Sequence, residues 1–204
     1  MPTVSDDRRS IRTKKFIRQA LSELIEEKGF NNISVTEITT RADINRGTFY
    51  LHYSDKYDML EKIENEVIQE FHTSAQSMNC FKEELDTETE ILCFMSKYFH
   101  FIKENAAFMK AILGPKGDPN FQIKIKQLIK DNLFEKMLLI ELHKDRMLVP
   151  KEYLLSYILS AHLGVIQYWL ESGMKSSPEE MTLILSKIFF LGPFKASGLG
   201  SLND

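Results

Sequence analysis

Apolar residues recur every three or four positions along most of this chain, which is the spacing of helices with one buried face. The first such helix is marked by six residues: Phe16, Ile17, Ala20, Leu21, Leu24 and Ile25. Gly29 follows them as a stop signal. Because no stretch alternates apolar and polar residues as half-buried strands do, the sequence predicts an all-α fold of about nine helices.

Two short helices are predicted after this first one, separated by a break at residues 43–45. The first of them has three apolar residues on one face: Val35, Ile38 and Ala42. Its start is polar, at Ser34 or Thr36, and Glu37 stands in its first turn. The aspartate in the break tolerates a left-handed backbone, so the chain can turn sharply there.

The other short helix is predicted from Arg46 to about Tyr53, with Asn45 as its N-cap. Gly47 at its second position costs about 1 kcal/mol relative to alanine, so helix stability does not explain this residue. Two short helices joined by a three-residue turn, and braced by a first helix, match the helix-turn-helix that places a helix in the DNA major groove.

In that arrangement Gly47 acquires a role. Without a side chain, the backbone can approach a phosphate, and unpaired N–H groups of the first turn would point at the anion. The alternative is that Gly47 is an accident of a marginal helix. Phe49 and Tyr53 are predicted to pack inward, whereas Thr48 and Tyr50 can donate hydroxyls to phosphates and Lys56 supplies a point charge.

Longer amphipathic helices are predicted for the rest of the chain, over 55–71, 91–113, 119–143, 150–173 and 178–191. The last has the strongest start signal, because Ser177 can cap it, Pro178 fits its first position and Glu180 can reach back. Residues after 191 are predicted to form a frayed tail. The shape is a short three-helix unit followed by a helical bundle.

Composition places the chain among ordinary folded proteins, with 43% hydrophobic and 27% charged residues. No apolar run approaches the roughly 18 residues of a membrane helix, and the basic N-terminus lacks the apolar segment of a signal peptide. We therefore expect a cytoplasmic protein without a membrane partner. Cys80 and Cys93 are too few for a disulfide framework and are expected to be small, buried or half-buried thiols.

The formal net charge of -3 argues against binding nucleic acid through the overall field. Its distribution is more informative, because six basic residues and no acidic ones lie between positions 8 and 18: Arg8, Arg9, Arg12, Lys14, Lys15 and Arg18. This segment is either a solvated arm or a DNA contact, and such arms often order only on the duplex.

The stretch "VTEITTRADINRGTFYLHYSDKYDML" is similar to the N-terminal domain of the tetracycline-repressor (TetR) family, and the preceding "FIRQALSELIEEKGFNNI" resembles that family's first helix and link. The match covers roughly residues 12 to 62. It implies an all-helical dimeric transcription factor, usually a repressor, in which a ligand of the C-terminal domain alters DNA affinity. The implied domains are an N-terminal arm and helix-turn-helix DNA-binding domain at 1–62, and a ligand-binding and dimerisation domain at 63–204.

The resemblance also implies which residues meet DNA. Contacts to phosphates would come from Thr36, Tyr50, His52 and Lys56, and those nearest the base edges would be Asn45, Arg46 and Thr48. Arg46 is favoured for base reading, since a guanidinium can bond guanine in bidentate fashion, worth about 1 to 3 kcal/mol; the alternative is a phosphate contact without specificity. Asp43 and Thr39 depart from the glycine and alanine that the family commonly has, and an added carboxylate near DNA would weaken binding slightly. Leu51 either touches a thymine methyl or simply covers the domain.

For the second half, the resemblance implies that the last two long helices form a four-helix bundle with those of a second subunit. The predicted interface residues are Tyr157, Ser160, Ala161, Gly164, Tyr168, Ile184 and Ile188. Ser160 and Gly164 are small and one turn apart, which would permit close helix approach; the alternative is a helix buried within one subunit. A dimer would set its recognition helices about 34 to 36 Å apart, matching a palindromic operator.

An effector pocket is predicted between the middle helices. Its candidate lining residues are Tyr98, Phe101, Phe108, Met109, Phe134, His162 and Gln167. The last two would be polar anchors, but aromatic and methionine residues at helical spacing also fit an ordinary core. The five histidines show no metal-ligand spacing, so we expect no metal and no cofactor.

An enzyme is not expected, because the chain has no HExxH pair, no phosphate-binding glycine loop and no G-x-S-x-G elbow. The predicted function is a DNA-binding regulator whose partners are duplex DNA, a second copy of the chain and an unknown small molecule. The alternative is a protein-interaction module that keeps the helix-turn-helix shape without binding an operator.

Overall fold

The computed structural model describes residues 4–77, 87–131 and 148–199. Those ranges contain nine α-helices, one 3-10 turn (Phe30–Asn32) and no strand, which confirms the predicted all-α class. The helices are α1 (Val4–Lys28), α2 (Val35–Arg41), α3 (Arg46–Tyr50), α4 (Lys56–Ser77), α5 (Thr87–Glu104), α6 (Ala106–Leu113), α7 (Pro119–Ile129), α8 (Lys151–Glu171) and α9 (Pro178–Ala196).

Two helices begin with reciprocal capping. In α2 the Ser34 hydroxyl accepts from the Glu37 amide at 3.3 Å, while the Glu37 carboxylate accepts from the Ser34 amide at 3.0 Å. In α9 Ser177 and Glu180 make the same exchange at 3.2 and 2.8 Å, so the predicted start of the last helix is confirmed. Each exchange satisfies helix amides that would otherwise lack partners.

Three predicted boundaries are wrong. The helix predicted over 91–113 is two helices that meet at Asn105, whose backbone is non-helical at φ -107 and ψ 21. The helix α3 ends at Tyr50 rather than near Tyr53. At the C-terminus, α9 kinks at Gly192 (φ 73) and continues to Ala196, because Pro193 suits the first turn of a resumed helix. The last part of the helix predicted over 119–143 lies outside the described residues.

The thiol expected at Cys93 is wrong, because Cys93 is disulfide-bonded. Composition cannot decide this, because a disulfide forms only where the fold brings two sulfurs within bonding distance. Cys80 lies outside the described residues.

The chain divides into two compact units. The first unit contains α1 to α3, α4 as far as Glu70, α6, and α7 as far as Ile123. Its core includes six fully buried side chains: Ile17, Leu21, Ile25, Ile38, Phe49 and Met59. Helix α2 therefore packs on α1 and α3 packs on α2, while α1 also packs along α6.

A turn after α6 is fastened to the end of α1. The Lys116 ammonium donates to the carbonyls of Glu26 and Glu27 at 3.0 and 2.9 Å, and the Lys116 carbonyl accepts from the Phe30 amide at 3.3 Å. The carbonyls of Glu26 and Glu27 belong to the last turn of α1, where helix carbonyls lack partners within the helix. The turn thus stabilises the segment that leads into α2.

The second unit contains α4 from Phe71, α5, α7 from Lys124, α8 and α9. Helix α5 packs against α9, and the Phe71 ring is in edge contact with those of Phe94, Tyr98 and Phe101. In the described parts of both units, no helix is long and apolar enough to cross a membrane, and no group of acidic, histidine or cysteine side chains is arranged to hold a metal ion.

Candidate nucleic-acid interface

The helix-turn-helix begins with a tight turn between α2 and α3. The amides of Ala42 and Ile44 donate to the carbonyls of Ile38 and Thr39 at 2.8 and 3.0 Å. Between them Asp43 has φ 52, the left-handed conformation that the sequence predicted for it. The turn is thus closed by hydrogen bonds to the end of α2, and it sets the direction of α3.

Charged side chains hold α2 against α1. Arg41 makes a bidentate contact with Glu27 at 2.8 and 3.0 Å and a second contact with Glu23 at 3.1 Å. These bonds, chiefly those with Glu27, raise the pKa of Arg41. An ion pair between Lys28 and Glu37, together with the bonds from Ser34, lowers the pKa of Glu37 to about 2. The two contacts fix where α2 and the turn lie.

Helix α3 is anchored by its aromatic residues. Phe49 and Tyr53 are buried together with Ile38 and Ala42, which confirms the predicted inward packing. The Phe49 and Tyr53 rings lie 5.4 Å apart between centroids. Since one side of so short a helix is fixed in the core, the opposite side is presented to solvent.

The exposed side of α3 carries most of the predicted DNA contacts. Asn45, Arg46, Gly47 and Tyr50 are exposed, and Thr48 is half-buried. The Arg46 guanidinium lies 6.0 Å from the Tyr50 ring centre and donates to the Tyr50 hydroxyl at 3.3 Å. Arg46 and Tyr50, two of the predicted DNA contacts, therefore lie one turn apart on the exposed side of α3.

Three amides in the first turn of α3, those of Gly47, Thr48 and Phe49, are already hydrogen-bonded, contrary to expectation. The Asn45 side chain accepts from the Gly47 amide at 2.8 Å, and the Asn45 carbonyl accepts from the Thr48 and Phe49 amides at 2.9 and 3.2 Å. The reason is that an efficient N-cap uses the same amides that an anion would use. A Cβ added at Gly47 would meet only the Asn45 Oδ1 atom among the described residues, at 3.3 Å. Packing within the chain therefore gives little reason for a glycine.

The remaining predicted contacts lie around α3. Thr36 is exposed in the first turn of α2, and His52 is half-buried just after α3. Lys56 at the start of α4 is already engaged, because its ammonium donates to the carbonyls of Phe30, Asn31 and Ile33 at 3.2, 3.0 and 2.9 Å. With three donors in use, Lys56 ties α4 to the 3-10 turn.

The basic segment is helical, since α1 begins at Val4. Lys14 pairs with Glu66, and Arg18 contacts Glu70 and donates to the Asn105 side chain at 2.6 Å. The exposed members are Arg9, Arg12 and Lys15.

Sequence reasoning missed the hydrogen bonds made by Arg41 and Lys116. For Arg41 the available signal was the pair of glutamates, Glu23 and Glu27, one turn apart on α1.

The predicted pocket residues fall in both units. Tyr98 and Phe101 lie in the second unit, where burial raises the pKa of Tyr98 and its hydroxyl has no hydrogen-bond partner among the described residues. His162 there is buried and its Nδ1 atom lies 2.8 Å from the Ile158 carbonyl, while Gln167 is half-buried. Phe108 and Met109 lie in the first unit, on α6. Phe134 lies outside the described residues.

The predicted dimer residues are accessible on α8 and, for Ile184 and in part Ile188, on α9. Tyr168 is 73% exposed, and the other exposed members are Tyr157, Ser160, Ala161, Gly164 and Ile184; Ile188 is half-buried. No described atom outside its own turn lies within 4 Å of a Cβ added at Gly164. Helix α8 thus has a buried side, which includes Leu159 and Ile166, and a second, largely apolar side that the described residues leave accessible.

A braced helix-turn-helix with an accessible second helix, joined to a helical unit, defines a DNA-binding transcriptional regulator. The family model described as "Bacterial regulatory proteins, tetR family" matches residues 17–63, and one described as "Transcriptional regulator C-terminal region" matches residues 89–190. The chain belongs to the TetR family of transcriptional regulators.

Individual relatives agree with this assignment. An HTH-type transcriptional regulator of Bacillus subtilis (strain 168), YxbF, is 26% identical over 166 residues, which cover 81% of this chain but only 42% of that protein. The fatty acid degradation regulator FadR of Bacillus halodurans has a TM-score of 0.65 at 20% identity, covering 94% of this chain and 96% of that one.

FadR of Bacillus subtilis, solved in complex with stearoyl-CoA, has a TM-score of 0.60 at 17% identity, covering 87% and 97%. A TetR regulator from Streptococcus agalactiae 2603V has a TM-score of 0.60 at 19% identity, covering 90% and 97%. At such identities these structural likenesses show the fold alone.

Proposed function

We propose that this regulator binds a palindromic operator as a homodimer and represses transcription until a small molecule binds its second unit. The observation that carries the proposal is the exposed side of α3, where Arg46, Gly47 and Tyr50 are accessible while Phe49 is buried. This side presents a cation, a hydroxyl donor and a bare backbone, which together suit a groove lined by phosphates and base edges.

The predicted contacts then divide by chemistry. Arg46 would read a guanine with Thr48 beside it near the base edges, while Thr36, Tyr50 and His52 would meet phosphates, as the resemblance implies. Lys56 would act through its charge and by holding the start of α4, since its donors are already used within the chain. Asn45 would act chiefly as the cap that orients α3.

The test of the function is the salt dependence of binding to DNA selected from the source genome. If a dimer neutralises about eight to ten phosphates, a plot of log affinity against log salt concentration should have a slope of about -7 to -9. A mobility-shift titration measures this slope directly. A flat response, or failure to select any DNA, would favour the protein-interaction module instead.

The homodimer is supported by the uncovered apolar side of α8 and α9, which is the kind of surface that soluble proteins bury against a partner. Small residues at its centre, Ser160, Ala161 and Gly164, would let two copies of α8 approach closely. The Lys126 ammonium donates to the Ser160 hydroxyl at 3.2 Å, so a second copy of α8 would have to displace this cation from the interface.

We expect Gly164→Phe to break the dimer without unfolding the chain. The added side chain has open space among the described residues of its own subunit. It would overpack a close helix contact at about 1 to 3 kcal/mol for each of two sites, so the dimer dissociation constant should rise at least about thirtyfold. Sedimentation velocity across a concentration series measures this. Ala107→Phe, at an exposed position of α6, is the matched control and should leave the dimer intact. An unchanged dimer in Gly164→Phe would refute the proposed interface.

An effector site in the second unit is supported by Tyr98. A buried hydroxyl without a partner costs free energy, and a ligand that accepts its hydrogen bond would recover that cost. The aromatic residues around Tyr98 would suit an apolar ligand with one acceptor group. Stearoyl-CoA, the ligand in the Bacillus subtilis FadR complex, is a reasonable first probe.

A further inference from the structure

A single aliphatic residue stands out of the helix-turn-helix. Leu51 directly follows α3 and is 82% exposed, whereas Ile38 is fully buried and Val35 and Ile44 are half-buried. An exposed leucine of this kind does not cover the domain, so one of the two roles expected from the sequence is wrong. The other role, contact with a thymine methyl, can be argued from its position.

Leu51 lies on the side of α3 that faces away from the core. Its amide donates to the Gly47 carbonyl at 3.2 Å, so it stands one helical turn after the glycine. Phe49, halfway between them, is fully buried. Leu51 therefore projects from the same side of α3 as Gly47. Because glycine has no side chain, the position one turn before Leu51 leaves that side of it open.

No second aliphatic side chain is exposed beside Leu51 on α3, and its neighbour Tyr50, 49% exposed, is aromatic and carries a hydroxyl. Arg46 and Tyr50 lie on the exposed side of α3 and contact each other, and neither Gly47 nor Asn45 adds apolar surface. Protein partners are usually bound through contiguous apolar patches and not through one isolated aliphatic side chain. Among the edges of the base pairs in the major groove, the apolar group is the 5-methyl of thymine. A lone aliphatic side chain, set among protein groups that donate hydrogen bonds to phosphates and bases, is complementary to that methyl group.

We propose that Leu51 determines part of the operator sequence by packing against the 5-methyl group of a thymine in each half-site. The inference rests on the proposed function, since it requires α3 to lie in the major groove. It adds a base preference that hydrogen-bond donors alone would not give, because Arg46 selects guanine whereas Leu51 selects thymine.

The experiment removes the methyl group from the DNA and the side chain from the protein. The probe is the duplex that the wild-type protein selects from a randomised pool, with each thymine replaced in turn by deoxyuridine. Deoxyuridine keeps every hydrogen-bonding group of thymine and lacks only the methyl. Wild-type affinity should fall about fourfold at one thymine of each half-site, the effect of one methylene-sized burial.

Leu51→Ala should bind the thymine duplex more weakly and should show no further loss on deoxyuridine at that position. Leu51→Met, which keeps an apolar side chain of similar volume, should retain the sensitivity to the methyl group. Ile123→Ala removes a side chain that is 65% exposed on α7 and is the matched control, expected to behave as the wild type does. Because Leu51 is exposed, each variant should fold, as circular dichroism will verify.

The outcomes separate the inference from the proposed function. If the wild type selects an operator but is insensitive to every replacement, or if Leu51→Ala keeps the full sensitivity, the thymine contact is wrong and operator binding stands. If the wild type enriches no duplex at all, operator binding fails and the inference fails with it. Coupling between Leu51 and one thymine per half-site is the result that supports the proposal.

Discussion

Replacing Gly47 with valine should reduce affinity for the operator at least about a thousandfold, to the level of non-specific binding. The valine side chain would stand between α3 and the DNA, in both subunits of a dimer, and would keep the Arg46 side chain from the base edges. Phosphate contacts elsewhere would survive, so weak binding that depends on salt should remain. Equilibrium titration of the selected operator and of an unrelated duplex measures both effects.

The free protein should tolerate this change. Gly47 is exposed and is not among the glycines with positive φ, so valine introduces no left-handed strain. Its Cβ would lie 3.3 Å from the Asn45 Oδ1 atom, a contact that the cap can relieve by a small shift. Valine also has a better intrinsic helix propensity than glycine, by a few tenths of a kcal/mol. The melting temperature should therefore change little.

The matched control is Thr40→Val, which places the same side chain at an exposed position of α2 that is not a predicted contact. It should keep both specific affinity and helix content. Retained operator affinity in Gly47→Val would contradict the close approach of backbone and phosphate. Loss of affinity together with loss of helix signal would instead show that the substitution acts through the Asn45 cap.

Local features of this fold could be predicted from the sequence because their causes lie within a few residues. A serine hydroxyl just before a helix can accept from an amide of the first turn, so Ser34 and Ser177 mark helix starts within three residues of the bonds they make. Phe49 and Tyr53 are four residues apart, and the helical repeat alone places them on one side. The exposed side of α3, which is the candidate site, follows from the same repeat.

Contacts between distant parts of the chain could not be predicted. Arg18 and Lys14 belong to a basic run that suggests DNA contact, yet each pairs with a glutamate of α4. Apolar residues keep helical spacing on both sides of Asn105, so the sequence does not reveal the break between α5 and α6. At this break the Asn105 side chain accepts a hydrogen bond from Arg18. Lys56 has the charge of a phosphate ligand, and only the fold reveals that carbonyls of the 3-10 turn already use its donors. Charge and periodicity identify residue types, whereas the partner of each depends on tertiary packing.

The largest effect on stability is expected from Gly117→Ala. A Cβ at this position would lie 2.0 Å from the Ile112 carbonyl oxygen, 2.4 Å from the Ile112 carbonyl carbon and 2.7 Å from the Ala111 carbonyl oxygen. All three are backbone atoms in the last turn of α6, so no side-chain rotation relieves the clash. Alanine here should lower the free energy of unfolding by about 3 kcal/mol or more.

That cost arises because the turn cannot open without releasing α1. The residue before Gly117 is Lys116, whose ammonium and carbonyl hold the end of α1 and the Phe30 amide. Thermal unfolding followed by circular dichroism should show a melting temperature lower by roughly 6 to 12 °C, since each kcal/mol corresponds to about 2 to 4 °C in a chain of this size. Pro115→Ala, at an exposed position of the same turn, is the control and should cost less than about 1 kcal/mol.

Lys116→Met separates the hydrogen bonds from the backbone geometry. It removes two bonds from a charged donor to α1 and keeps the turn, so its effect should be intermediate, about 1 to 2 kcal/mol. A Gly117→Ala variant as stable as the wild type would mean that the turn after α6 does not take this conformation. In that case the end of α1 would lose its hydrogen bonds to the turn and would be held to α6 only by helix packing and the Lys110–Glu26 ion pair. The link from α1 to α2 would then depend on their packing and on the ion pairs of Arg41 and Lys28.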